Sequence, residues 1–376
     1  MFHIFATIIG IYVALRLVPP LRWKTGLKWI AGILIVLLSQ YHFIVRTFFG
    51  TMASPELPTA VLVVSGWLFG SFFLLALFFL LKDLFSFVTL IWRRIRRTRK
   101  PPFSPNRVNA VLLATALILS GIGVWQAVRV PDVKTVDIVL ERLPAEMDGL
   151  KVVQLSDLHA SRLLTEERNR AVVEKTNALN PDLIVITGDL VDGTVENRTR
   201  DVAPFHDLKA KYGVFSIPGN HEYYSSYLEW MKAFDDLGLH MLKNAHAIVI
   251  VQDRPLVIAG TTDRVAPNFG LPQPDVKAAL NGIPEEAPVI LLQHQPRGAA
   301  ENAEAGVDLQ LSGHTHGGQI ALAHWLVQLF NEGFVSGLYD VGNMKLYVSN
   351  GTGLWNGFPV RLGRTAEITE IILHAR

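Results

Sequence analysis

The sequence predicts a membrane-anchored α/β protein, in which a group of transmembrane helices precedes a globular domain of alternating strands and helices. Three observations carry that expectation. Half of the 376 residues are hydrophobic and only 18% are charged, against about a quarter charged in an ordinary soluble domain. The charge is unevenly divided: residues 1–129 hold 14 Lys/Arg and 2 Asp/Glu, residues 130–376 hold 21 and 31, so the net +2 hides a half of +12 and a half of −10. The apolar pattern also changes, from long runs before residue 130 to short strand-like runs after residue 150.

Four stretches approach the roughly 20 apolar residues that a helix needs to cross a bilayer: residues 2–18, 29–45, 60–81 and 108–128. The third is free of charge. The second is the weakest, since it contains Gln40 and His42. A secretory signal is the competing reading of the first stretch, but it needs basic residues ahead of its apolar core, and here Arg16, Arg22, Lys24 and Lys28 follow it. Lys and Arg favour cytoplasmic loops. The loop after the first stretch and the run Arg93, Arg94, Arg96, Arg97, Arg99, Lys100 and Arg107 therefore go inside, which puts everything after residue 130 outside. The short apolar run 84–92 either extends the third helix or lies in the interface. The basic charge belongs to these loops and the globular part is acidic, so nucleic acid is not an expected partner. The chain has no cysteine, which removes disulfides, thiolate metal sites and Cys nucleophiles.

Residues 1–130 are thus expected to form a membrane anchor of about four helices, 131–149 a linker, and 150–376 a catalytic domain. In the last part, short apolar runs at 150–155, 183–187, 214–217, 256–259, 289–292, 309–311, 346–348 and 368–373 read as strands. Helical stretches at 165–179 and 224–237 lie between the early ones, which indicates covered sheets.

In such folds functional groups gather just beyond the carboxyl ends of strands. The first strand exits into Ser156, Asp157, Leu158 and His159, the second into Gly188 and Asp189, and the third into Gly219, Asn220, His221 and Glu222. Later exits carry His294 and the run Gly313, His314, Thr315, His316, Gly317, Gly318. Carboxylate, amide and imidazole donors suit Mn, Fe or Zn, and the glycines allow close backbone approach. Each piece alone is an ordinary turn or helix cap. Together, all at strand ends, they read as a dinuclear metallohydrolase site in which two divalent ions clamp a phosphoryl group and activate water.

These motifs, Asp-x-His, Gly-Asp, Gly-Asn-His, a lone His and Gly-His-x-His over residues 157–316, resemble the calcineurin-like metallophosphoesterase superfamily. The resemblance implies a four-layer αββα sandwich. It also implies that Asp157, His159, Asp189 and His316 hold one metal, that Asp189, Asn220, His294 and His314 hold the other, and that His221 contacts the phosphate as acid or electrostatic stabiliser. The runs 188–193, 312–319 and 347–353, with Pro359, Arg361, Leu362 and Gly363, are similar to a membrane-tethered or exported bacterial branch of phosphodiesterases. That similarity implies the bacterial inner membrane as location and a phosphoester substrate, and tethering near the bilayer points to one carried by a lipid or envelope component. Two alternatives stay open: a pyrophosphatase of the kind that cleaves UDP-2,3-diacylglucosamine, and an inactive metal-binding sensor or scaffold. Arg361 is a candidate for holding substrate phosphate, against a structural ion pair. Asp192 and Asp263 read as turn or supporting residues, and His206, His240, His246 and His324 as surface or packing residues. The apolar stretch 325–334 is either core helix or a membrane-facing lip.

Overall fold

A computed structural model of the chain describes residues 2–96, 105–321 and 323–376; Arg97, Arg99 and Lys100 of the basic run lie outside them. The chain divides into two compact units, Met1–Trp125 with Asn356–Val360, and Gln126–Trp355 with Arg361–Arg376.

The first unit is helical: α1 (Phe2–Leu17), α2 (Thr25–Ser39), α3 (Tyr41–Phe49), α4 (Thr59–Arg96) and α5 (Pro105–Val128). Two of these, α4 and α5, are long and apolar enough to cross a membrane. The first expected stretch is helix α1 and the second is a bent helix pair whose two members together could form one span. α1 has 16 residues, and the second stretch breaks at Gln40 into α2 and α3, bent by 63°. At the break the Gln40 amide donates to Thr7 Oγ1 at 3.0 Å and Ser39 Oγ at 3.0 Å. The run 84–92 continues α4 in one helix. Gly66 and Gly70, one helical turn apart, open a notch on α4 for the segment 356–360. A Cβ at Gly66 would lie 2.5 Å from Pro359 Cγ, and one at Gly70 would lie 2.6 Å from Val360 Cγ2. The Phe358 ring packs against Phe69 and Phe73 beside it.

The second unit holds twelve strands among the described residues. One sheet contains β1 (Asp132–Leu140), β2 (Leu150–Leu155), β3 (Leu183–Thr187), β4 (Val214–Ile217), β5 (His240–Met241) and β12 (Glu367–Ala375), in the order β1-β12-β2-β3-β4-β5. The other contains β6 (Ala245–Val251), β7 (Arg254–Gly260), β8 (Val289–Leu292), β9 (Leu309–Ser312), β10 (Gly337–Val341) and β11 (Met344–Val348), in the order β10-β11-β9-β8-β7-β6. β2 to β5 run parallel, as do β7, β8, β9 and β11. Their carboxyl ends therefore lie together within each sheet.

Alternation along the strands sets the layers. Val152, Val185 and Ile217 meet Ile258, Ile290 and Leu311 in a core between the two sheets. The opposite faces, with Val153, Ile184 and Ile186, pack on Val172, Trp230 and Phe234 of the helices Glu166–Asn177 and Tyr227–Asp236. Val257, Val289 and Leu346 of the second sheet cover Ala279 and Ala299. These are the four αββα layers. Strands apolar on both faces follow from that double covering.

Residues 131–149 depart from the linker expectation, because β1 pairs in parallel with β12 over nine residues as an edge strand. Only Ile138 and Leu140 in it are buried, so its charged, half-exposed sequence imitates a connector. Trp230 anchors the helical layer: it is fully buried, stacks on Phe234 at 5.0 Å and donates Nε1–H to the Gly193 carbonyl at 2.8 Å. Trp230→Ala is expected to cost about 3–5 kcal/mol, measured as a lower denaturant midpoint of the purified full chain.

Candidate metal centre

The carboxyl ends of β2, β3 and β4 and of β8 and β9 converge. Hydrogen bonds between the exit loops fix the convergence: Asp157 N–H donates to the Gly188 carbonyl at 3.0 Å, His159 N–H to the Asp189 carbonyl at 3.0 Å, and Gly313 N–H to the His294 carbonyl at 2.9 Å. Asp157, His159, Asp189, His314 and His316 all have positive φ, between 46° and 69°. Left-handed backbone at a residue with a Cβ carries a cost and persists only where surrounding structure enforces it. Here five of the expected ligands bear it. Gly219 and Gly313 leave the room these turns need, since a Cβ on Gly219 would run into the Asp189 carboxylate and one on Gly313 into Ser156 and Asp157.

All seven residues expected as ligands meet at this point. Three groups of donors lie close enough to hold an ion: Asp157, His159 and His316; His159, Asp189 and His221; Asp189, His294 and His314. Asn220 Oδ1 is 3.1 Å from His294 Nε2, which is 3.2 Å from Asp189 Oδ2. The imidazoles are oriented from behind. His294 donates Nδ1–H to the Thr187 carbonyl at 2.7 Å, and His159 donates Nδ1–H to Asp192 Oδ2 at 3.2 Å. That leaves His159 Nε2 buried without a hydrogen-bond partner, which is what a ligand nitrogen facing a cation position looks like.

The electrostatics agree with a cation. Burial raises the Asp157 carboxyl, whereas Asp189, although burial pushes it upward too, is held well below the ordinary range by His294, His221 and His159. His314 is lowered to about 3 by burial and by neighbouring His294, and His316 is lowered by burial and by His159. Both are therefore neutral, with ring lone pairs able to bind a metal. A divalent ion fits this donor set.

Asp192 proves more than a turn residue. Its second oxygen accepts from His221 Nδ1, so one buried carboxylate aligns two site imidazoles. Burial would lower His221, but Asp192 and Asp189 outweigh it and raise it to about 9. Asp192 itself, against the effect of burial, is drawn down to about 2 by His221 and His159. Glu222 gathers the amides of Asp189, Leu190, Val191 and Gly219 at 2.7–3.2 Å, binding the β3 and β4 exits into one piece. The sequence signal for both was their place beside motif residues, three beyond Asp189 and two beyond Asn220.

Arg361 stands against the His316 loop. It is 1% exposed and donates to the carbonyls of His316, Asn350 and Gly353 at 3.3, 2.7 and 2.7 Å. Most of its hydrogen bonds are directed at backbone, with Nη2 also 3.4 Å from His316 Nδ1, so it braces the His316 loop. Asp263 accepts from Gln295 and from Val265 N–H, as a turn residue does. His206 and His246 bond backbone carbonyls, and His240 packs on Phe215. The mouth of the site carries aromatic groups: Tyr224 and Trp355 lie 5.4 and 6.4 Å from the His221 ring, and Phe269 lies 6.0 Å from Tyr224.

Residues 150–318 match the family profile of calcineurin-like phosphoesterases. A bovine transmembrane protein with a metallophosphoesterase domain is 35% identical over 77% of this chain and 68% of its own. The chain belongs to the calcineurin-like phosphoesterase family. A zebrafish protein of the same description is 36% identical over 71% of this chain, which spans 63% of that protein's length. An uncharacterized metallophosphoesterase of Campylobacter jejuni is 35% identical over 72% of this chain and 70% of its own. The family uses divalent metals, and the donor groups described above stand within the matched region.

Asp192→Asn is expected to weaken Mn²⁺ binding about 10–100-fold, the usual effect of losing a group that orients ligand imidazoles. Calorimetric titration of the metal-stripped full chain measures it; an unchanged Kd would remove Asp192 from this role.

Proposed function

We propose that the protein is a membrane-anchored, dinuclear metal-dependent phosphoesterase that hydrolyses a phosphomonoester or phosphodiester with water. The observation that carries this reading is the burial of Asp157 and Asp189 in one pocket with imidazoles whose supporting nitrogens are already engaged. In this reading Asp157, His159, Asp189 and His316 would hold one ion, and Asp189, Asn220, His294 and His314 would hold the other. Mn, Fe and Zn suit the donors. When bound, the two ions would supply a water of lowered pKa and positive charge beside the phosphoryl oxygens.

The chain's own groups do the rest. Asp192 fixes the His221 ring through Nδ1 and leaves Nε2 to hydrogen-bond a phosphoryl oxygen or to give a proton to the departing oxygen. Asn220, held at the start of the helix Asn220–Tyr224, offers its amide N–H to the same group while its oxygen faces the metal position. The bond from the water oxygen to phosphorus forms as the bond to the leaving oxygen breaks, and no covalent bond to the chain is required. A lipid- or envelope-borne phosphoester suits a site carried by a membrane protein.

The basic residues between α4 and α5 precede the second unit by one apolar helix. By the preference of Lys and Arg for the cytoplasmic side, the catalytic unit lies on the extracytoplasmic face of a bacterial inner membrane. A periplasm-dependent phosphatase fused after Arg376 is expected to be active; activity only of a cytoplasm-dependent reporter would reverse this orientation.

The purified chain is expected to hydrolyse bis-p-nitrophenyl phosphate with added Mn²⁺ and to lose that activity in EDTA. Asp189→Asn is expected to lose at least two orders of magnitude in turnover, in the range of an essential group in such catalysis. No turnover across divalent metals, or an unaffected Asp189→Asn variant, would overturn the mechanism.

A further inference from the structure

The stretch after the last metal-site histidine ends neither in core nor in solvent-type sequence. The helix His324–Phe330 has no buried residue. It has no charged residue, and Trp325, Leu326, Leu329 and Phe330 are 54, 45, 73 and 75% exposed. Trp325 with Leu329, and Leu326 with Phe330, are pairs one turn apart, so the four side chains form one continuous apolar patch. Within the stretch 325–334 the helix stands outside the core, and only Phe334 beyond it packs on the core of the second sheet.

The helix is tied to the metal-site loop. Gly318 lies so close to it that a Cβ there would be 2.7 Å from His324 Cα. Ile320 pairs with Leu362 and Gly363, and Ala321 N–H donates to the Leu362 carbonyl at 2.8 Å. Two residues before Leu362, the chain is in the segment Asn356–Val360, which belongs to the unit that carries the membrane-spanning helices.

We propose that the helix His324–Phe330 is an interfacial element that inserts its Trp, Leu and Phe side chains into the surface of the lipid bilayer, beside the entrance to the metal centre. A seven-residue helix is too small for a stable protein partner, which needs about 800 Å² and 20–30 residues on each side. An uncharged patch of Trp, Leu and Phe matches the groups that lie at the headgroup boundary. The bilayer is supplied by the chain's own spans, so the local concentration of this partner is fixed by the tether. The inference goes beyond the phosphoesterase reading: it states that the site opens at a lipid surface, so that phosphoesters standing in that surface are the substrates it meets first.

The chain lacks cysteine, so single spin labels can be placed at will. Leu329→Cys and Phe330→Cys of the full chain, with Glu304→Cys as an exposed control, are labelled and reconstituted in nanodiscs of phosphatidylcholine with a quarter phosphatidylglycerol. Collision with oxygen against a water-soluble nickel chelate gives the depth of each label. Labels at 329 and 330 are expected about 5–10 Å below the headgroups, with the label at 304 in water. Labels at both positions as accessible to nickel as the control would overturn the proposal. So would labels shielded from both oxygen and nickel, which would mean a protein contact such as a second copy. Depth is read without turnover, so an inactive chain with inserted labels would overturn the phosphoesterase reading and leave this one standing.

Discussion

Two carboxylates that are both shut off from water repel each other and lose their hydration, and a fold tolerates this only if positive charge answers it. Asp157 and Asp189 are in that position, both nearly inaccessible and facing one pocket. Much of the second unit is arranged around the debt. Imidazoles surround the pair, Ser156 donates to Asp157 Oδ2 at 2.6 Å, the His314 amide donates to both Asp157 oxygens at 3.1 Å, and the His221 amide donates to Asp189 Oδ1 at 2.8 Å. The hydroxyl and amide donors disperse the charge and do not cancel it. Divalent cations would.

The site depends on the two sheets equally. Asp157, His159, Asp189 and Asn220 leave one sheet, and His294, His314 and His316 leave the other. Neither sheet alone can close a coordination sphere, so the geometry of the pocket is set by the apolar packing between Val152, Val185 and Ile217 on one side and Ile258, Ile290 and Leu311 on the other. Local backbone cost at five left-handed ligands is met by this distributed packing, and Glu222 and Arg361 brace the loops without entering the chemistry.

The parts of this arrangement legible in the sequence were those with one environment. Leu183–Thr187 is apolar on both faces because helices and sheet cover both, so its limits could be read residue by residue. Asp132–Leu140 is a half-exposed edge strand, and its polar face hid it. The helical unit shows the same rule: α4 and α5 are helices where the long apolar runs stand, while the stretch interrupted by Gln40 bends there, where Gln40 bonds Thr7 and Ser39. The ligands were legible because each follows a strand and keeps company with glycine. The supporting place of Asp192 was legible, but which imidazoles it serves was not, since that depends on what three-dimensional packing puts within about 3 Å of it.

The segment Asn356–Val360 makes the two units inseparable by a single cut. The chain leaves the helical unit after Trp125, returns to it for five residues, and leaves again at Arg361. A fragment beginning at Gln126 would keep Phe358, Pro359 and Val360 but lose the notch made by Gly66 and Gly70, and would carry that apolar hook bare, next to the arginine that braces the His316 loop. A truncation at Gln126 must therefore either bring the notch along or rebuild the hook with polar residues.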